Sequence, residues 1–315
     1  MRDKQSRRDA IKTTAVAGLG MSSGAFAIPS GKRNLNISGK DFIREENSKM
    51  GTRDWRLRNT ETIPGKINKI LDNGRSMVIE GYCNANSLRV GEKLKIMVSA
   101  NPASAFKLDI FRTGYYGGTG ARLMKSFDSL QTGTQPDPPI GENYVRECQW
   151  EPTLELEIPP TWPSGVYLGK MTAERSGIQS YVIFIVRDDR PCDFLFQCSD
   201  LTWSAYNRWP MDYSIYTEHE NWTCIGVPSG TVSFDRPYGL FTHPVNKMKK
   251  SGGSGEYLPW EFPLAFWMEK EGYDLSYISN IDTHSDPQGL LRSNGFISVG
   301  HDEYWSLEMY DNVRK

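Results

Sequence analysis

The sequence predicts an α+β protein of two domains, an Ig-like antiparallel β-sandwich followed by a doubly wound α/β domain. Three observations carry this prediction. Short β-type runs separated by turn residues fill residues 63–189, strand and helix patterns alternate over residues 190–315, and the rhythm changes at Arg190-Pro191.

In the first domain the runs are Ser76–Tyr82, Lys93–Ser99, Phe106–Arg112, Thr153–Ile158, Gly165–Glu174 and Ser180–Arg187. They are rich in β-branched and aromatic residues, and turns at Gly117-Gly118 and Pro138-Pro139 space them as an antiparallel sandwich requires. The Gly114–Gly120 turn carries Tyr115 and Tyr116, which suit either the covering of a sandwich end or a sugar-binding loop.

The second domain opens with Phe194–Cys198, a short run that reads as a buried strand, and continues into a long aromatic insertion from Trp203 to Tyr257. Trp260–Glu271 is apolar on one helical face and stops at Gly272, a residue suited to a left-handed cap. Tyr273–Ser279 reads as a strand, Ser285-Asp286-Pro287 as the cap of a short helix through Arg292, and Phe296–Gly300 as a further buried strand. Strand, helix, strand, helix, strand implies parallel pairing with right-handed crossovers. Leu307 to Lys315 begins an amphipathic helix, and the expectation is that residues after Lys315 complete the sheet.

The first residues read as an export signal. Arg7-Arg8 precedes a short apolar run from Ala15 to Met21, and Ala25-Phe26-Ala27 supplies a signal-peptidase pattern. Residues 1–27 are thus expected to be a twin-arginine signal peptide, with a mature chain beginning near Ile28 in the periplasm or outside the cell. Residues 28–62 are polar and without a period, and read as a linker or arm.

Charge is nearly balanced, with 37 Lys+Arg against 38 Asp+Glu, so no basic stripe suits nucleic acid. The apolar run is too short to span a bilayer, so an integral membrane protein is not expected. Five cysteines are an odd number for an exported chain; Cys83 and Cys148 are the pair expected to join, whereas Cys192 and Cys198 flank one strand and cannot reach each other.

Chemistry is expected past the end of the Phe296–Gly300 strand, where open parallel sheets bind ligands. Gly300-His301-Asp302-Glu303-Tyr304 stands there. In an extended backbone His301 and Glu303 share one side, so an imidazole and a carboxylate can share one metal or one water. The alternative is that Asp302 and Glu303 favour the positive end of the helix starting near Ser306, with His301 a turn residue. The turn has no cysteine nucleophile, and the region has neither a Gly-x-Ser-x-Gly elbow nor a phosphate loop.

Five ordered motifs carry a family resemblance: Thr202-Trp203-Ser204-Ala205-Tyr206-Asn207, Arg236-Pro237-Tyr238-Gly239, Pro259-Trp260-Glu261-Phe262-Pro263, Ser279-Asn280-Ile281-Asp282-Thr283-His284 and Gly300-His301-Asp302-Glu303-Tyr304-Trp305. Over residues 190–315 they resemble the catalytic region of the N,N-dimethylformamidase large (beta) subunit family. The resemblance implies a class I amidotransferase-like, flavodoxin-like α/β fold and an amidohydrolase that cleaves a C–N amide bond with water activated on mononuclear Fe(III). It implies that Tyr206, Tyr238 and Glu303 hold the metal and that His301 and Glu303 are catalytic. It also implies a small partner subunit, and a site asparagine from strands after Lys315. Phenolates and a carboxylate are hard oxygen donors of the kind ferric iron favours.

An export signal points away from a simple formamide and toward a larger amide or envelope-derived substrate. The competing reading is an exported, non-catalytic glycan- or envelope-binding protein, motivated by the tryptophans and tyrosines. Of the other histidines, His284 is expected to line the pocket, and His219 and His243 to be solvated or loop-packed. Asp282 and Asp286 are candidate helix caps.

Overall fold

The computed structural model describes residues 41–61, 75–210, 213–215, 230–240 and 251–315. The signal segment, His219, Cys224 and His243 lie outside the described residues. Residues 38–315 form one compact unit of mixed α/β architecture in which strands predominate.

The first half contains β1 (Glu80–Cys83), β2 (Ser87–Arg89), β3 (Lys93–Ser99), β4 (Ser104–Thr113), β5 (Ala121–Thr132), β6 (Leu154–Glu157), β7 (Gly165–Ala173) and β8 (Gln179–Arg187). They form a three-stranded sheet in the order β1-β3-β6 and a five-stranded sheet in the order β2-β8-β7-β4-β5. All pairings are antiparallel except that of β2 with β8. Ile79, Leu94, Ile96, Val98, Leu108, Ile110, Tyr167, Met171 and Phe184 fill one core of this region. Trp162, Tyr167 and Phe184 stack in succession within it.

β7 and β8 are buried along nearly their whole length. Their sequences therefore run almost continuously apolar, instead of alternating as a strand with one wet face does. The second face of these strands is covered too: Val166, Leu168, Ile183 and Ile185 share a core with Phe196, Trp203, Tyr257, Met268 and Tyr277.

The covering layer is a parallel sheet of β9 (Cys192–Cys198), β10 (Leu275–Ser279) and β11 (Ser293–Ser298), in the order β10-β9-β11. Between and after the strands lie α2 (Asp200–Tyr206), a π-type turn at Tyr257–Glu261, α3 (Phe262–Glu271), α4 (Asn280–Ser285) and α5 (Leu307–Arg314). α3 ends at Gly272, whose φ of 79° is the left-handed cap that glycine favours. α4 starts directly at the end of β10, earlier than the expected helix at Pro287. A capping box sets this start: Ser279 Oγ accepts from the Asp282 amide at 3.1 Å, and Asp282 Oδ2 accepts from the Ser279 amide at 2.9 Å. Asp286 instead accepts from the Gly289 amide, ahead of a 3-10 turn at Gly289–Arg292.

Residues 41–61 differ from the expected linker. They form α1 (Phe42–Ser48) and a segment that bridges Thr52 to Ala121 and buries Trp55, because Ile43, Glu46 and Trp55 each find a partner in the body. The expected Cys83–Cys148 pairing is also corrected. Both are free, buried thiols belonging to different hydrophobic clusters, and burial pushes both thiols up, away from reactive thiolate. Tyr115 and Tyr116 are packing residues: Tyr116 is 2% exposed and donates to Glu46 Oε1 at 2.8 Å, and Tyr115 meets Phe266 edge-on at 5.3 Å.

The layers are joined by an ion pair with no solvent exposure. Arg112 of β4 donates from Nη2 to Glu269 Oε1 of α3 at 2.9 Å, and from Nε and Nη2 to the Ser164 carbonyl at 3.0 and 2.8 Å. Glu269 also accepts from Tyr277 Oη of β10 at 2.8 Å and from Asn47 Nδ2 of α1 at 3.0 Å. Removing one partner strands the other charge in a dry interior. Glu269→Ala is expected to lower unfolding stability by about 3–5 kcal/mol in denaturant titrations, and the double change Arg112→Met with Glu269→Leu to cost less than the single one.

Candidate active site

The carboxyl ends of β9, β10 and β11 lie side by side, and polar side chains there tie the three chain exits together. After β9, Asp200 accepts from the Asn280 amide at 2.7 Å and from Asn86 Nδ2 at 2.8 Å. After β10, Asn280 accepts at Oδ1 from the Leu201 amide at 3.1 Å and donates from Nδ2 to Asp302 Oδ1 at 3.1 Å. After β11, Asp302 also accepts from Gln197 Nε2 at 2.7 Å and from Ser298 Oγ at 2.6 Å. Asp302 therefore anchors the turn and leaves its two neighbours on the other side.

Gly300 makes that turn at φ 72°, and a side chain there would come within 2.9 Å of Trp260 Cβ. The turn is closed by Thr202 of α2, whose Oγ1 accepts from the amides of Glu303 at 3.0 Å and Tyr304 at 3.3 Å. These bonds bring α2, and with it Tyr206, against the residues after β11.

The result is a contiguous chain of functional groups. Tyr206 Oη donates to Glu303 Oε2 at 2.7 Å across 97 residues of sequence. His301 Nε2 lies 3.0 Å from the same oxygen. On its other side His301 Nδ1 lies 2.7 Å from Oε2 of Glu256, a carboxylate that is 1% exposed. The Tyr206 ring lies 4.7 Å from the imidazole and Trp260 6.1 Å, forming an aromatic frame. The hydrogen bond to Glu256 raises the His301 pKa above its ordinary value; partial burial opposes this and Glu303 reinforces it.

Tyr238 lies beside this cluster. It is partly buried, meets Trp203 edge-on at 6.4 Å, and lines a small cavity together with Tyr206, Asn207 and Glu256. Burial pushes the Tyr238 phenol up, and nearby Asp200 adds to the shift. The structure thus brings Tyr206, His301 and Glu303 into contact and sets Tyr238 on a cavity shared with Tyr206. His284 stands apart from this cavity. It lies in α4 and pairs through Nδ1 with Ser306 Oγ, the N-cap of α5, at 2.9 Å.

Three residues of the site went unread in the sequence. Glu256 lies in a glycine-rich turn with no periodic signal; Gly255 there, at φ 56°, packs against the Trp203 ring, which a side chain would approach to 3.0 Å. Thr202 and Glu261 occur inside quoted motifs, yet nothing in their spacing assigns them a role. Glu261 accepts from Trp203 Nε1 at 2.7 Å and from the Ser199 amide at 3.2 Å, fixing the start of α2 to the start of α3.

Among the described residues, no group of three or more His, Cys, Asp or Glu is arranged to hold a metal ion. The described residues also include no helix long and apolar enough to cross a membrane.

Burial raises the Glu261 carboxyl from 4.5 to about 8, against the opposing donors Trp203 and Ser199. In the unfolded chain it ionises near 4.5, so its protonated form stabilises the fold fully below that pH. The contribution is lost as pH rises from about 4.5 to about 8. In Glu261→Gln the loss of stability over this window is expected to shrink, by at most about 1.4 kcal/mol per pH unit. Denaturant midpoints of both proteins across the window check this. Asp200 and Glu80, each raised to about 7 by burial, titrate in both proteins and cancel in the difference.

The model of the N,N-dimethylformamidase beta subunit-like, C-terminal family matches residues 107–315, about two thirds of the chain. The match starts within β4 and so takes in most of the strands before residue 190 as well as the parallel sheet, a longer span than the five motifs alone cover. No curated protein matches the chain. With this site at the carboxyl ends of its parallel strands and this match over most of its length, the chain belongs to the N,N-dimethylformamidase beta subunit-like family.

Proposed function

We propose that the protein is an amidohydrolase that cleaves a C–N amide bond with a water activated at the Tyr206–Glu303–His301 cluster, on an amidotransferase-like α/β fold. One observation carries the reading: a phenol and an imidazole from distant parts of the chain meet on a single carboxylate oxygen, Glu303 Oε2. That arrangement concentrates hard oxygen donors and a proton carrier at a ligand-binding edge.

The donor set fits a ferric ion. Tyr206, Glu303 and Tyr238 would hold it, all through anionic oxygen once the phenols ionise, and a trivalent cation offsets the burial that keeps the Tyr238 phenol protonated. Bound Fe(III) would supply acidity to a water and polarisation to an amide carbonyl. The Glu303–His301 pair is placed to take a proton from the attacking water and, through His301 Nε2, to pass one to the departing nitrogen, since amide cleavage needs both transfers. Tyr206 and Trp260 flank the imidazole, and Tyr304 meets the Tyr206 ring edge-on at 6.2 Å.

A beta subunit-like family supports an assembly with a second, smaller subunit. The twin-arginine pair and the Ala25-Phe26-Ala27 site support export of this protein; protein recovered from outside the cytoplasm is expected to begin at or near Ile28. Protein purified from iron-supplemented cells is expected to carry close to one iron per chain, with a visible tyrosinate-to-iron band, and to release carboxylate and amine from amides. Tyr206→Phe should weaken the band, and Glu303→Gln should lower kcat about 100-fold or more. Colourless, iron-free protein with no amide turnover would overturn the reading.

A further inference from the structure

Glu256 has two oxygens in different circumstances. Oε2 is held 2.7 Å from His301 Nδ1, which pins the carboxylate and prevents it from turning. Oε1 is equally buried and has no hydrogen-bond partner among the described residues. A buried carboxylate oxygen without a donor is unfavourable, and native interiors keep such an atom where something else is meant to donate to it.

The same residue lines the cavity shared by Trp203, Tyr206, Asn207 and Tyr238. The space is about 10 Å³, enough for one water-sized group. An –NH2 group is of that size and donates hydrogens. A dimethylamino group donates none.

We propose that this cavity is an amino pocket, in which Glu256 Oε1 accepts an N–H of a primary carboxamide bound with its carbonyl toward the Tyr206–Glu303 cluster. The assignment of such amides as substrates rests on the amidohydrolase reading; the binding preference does not. In that reaction the C–N bond breaks, a C–O bond forms with the oxygen of water, and a proton from that water goes to nitrogen, which leaves as ammonia. Glu256 is the pocket's acceptor, and through Oε2 it also sets the orientation of the imidazole.

Ligand-observed NMR titrations of the full chain with acetamide and with N,N-dimethylacetamide test this directly. The unmodified protein is expected to bind acetamide about tenfold more tightly, the worth of one hydrogen bond to a charged acceptor. Glu256→Gln keeps an oxygen for His301 Nδ1 and turns a donor into the cavity, so the preference should disappear. Equal binding of the two amides, no binding of either, or a preference that survives in Glu256→Gln overturns the amino pocket. Ammonia release measured on the same samples decides the hydrolase reading separately: a preference without turnover keeps the pocket and removes the reaction.

Discussion

The Arg112–Glu269 pair is the constraint on which the rest of the structure depends. Both charges are removed from water, so each holds its place only while the other is there. Arg112 belongs to β4, Glu269 to the last turn of α3, and Tyr277 of β10 and Asn47 of α1 close on the same carboxylate. An apolar interface tolerates sliding by a side chain's width, but a bidentate ion pair with fixed satellites does not. α3 is therefore set against the sandwich in one register. The π-type turn at its amino end is set with it, and so are Glu256 beside His301 and Glu261 beneath Trp203. The site is thus positioned from the sandwich outward.

How much of this was legible in the sequence depended on whether a residue's partner was near it along the chain. β3 matched its expected range, Lys93–Ser99, because its apolar residues and flanking turns are local signals. β5 was missed. Its sequence, Ala121–Thr132, is largely polar because it is an edge strand with most of its surface wet; Ala121 is buried at one end, and Met124, Phe127 and Leu130 pack against the sandwich core. α1 was read as linker for the same reason: its one apolar anchor, Ile43, needs a surface built by residues far downstream. The pairing of His301 with Glu303 follows from a spacing of two in extended chain. Glu256 had no such route, since only the folded chain brings it across 45 residues to the imidazole.

The aromatic richness of the second half had supported two readings, a binding surface or packing. Among the described residues the structure divides these rings between surface and interior: Trp260, Trp267, Tyr273 and Tyr310 are exposed, while others turn inward. Trp203, Trp209, Tyr257 and Tyr277 are buried, and Trp203 and Tyr257 wall the layer between sheet and helix. Tyr116, one of two tyrosines in the turn that suited a sugar-binding loop, spends its hydroxyl on Glu46 and its ring on the interior. Burial takes Asp200, Glu80 and Glu261 out of water, which raises each carboxyl above the ordinary carboxylate range.

That shared environment makes the contrast at the edge informative. Asp302 has three donors around it, from Gln197, Asn280 and Ser298, and its bonds are structural. Glu303, one residue on, faces the opposite way and meets the two groups best able to carry or release a proton, a phenol and an imidazole. Successive carboxylates after the strand thus face opposite sides, as extended backbone dictates, and meet different sets of donors. The first fixes where the turn lies, and the second is held by Tyr206 of α2 and by His301, which Glu256 holds in turn from before α3. The two carboxylates share no donor, so the bonds that fix the turn are independent of those made by Glu303.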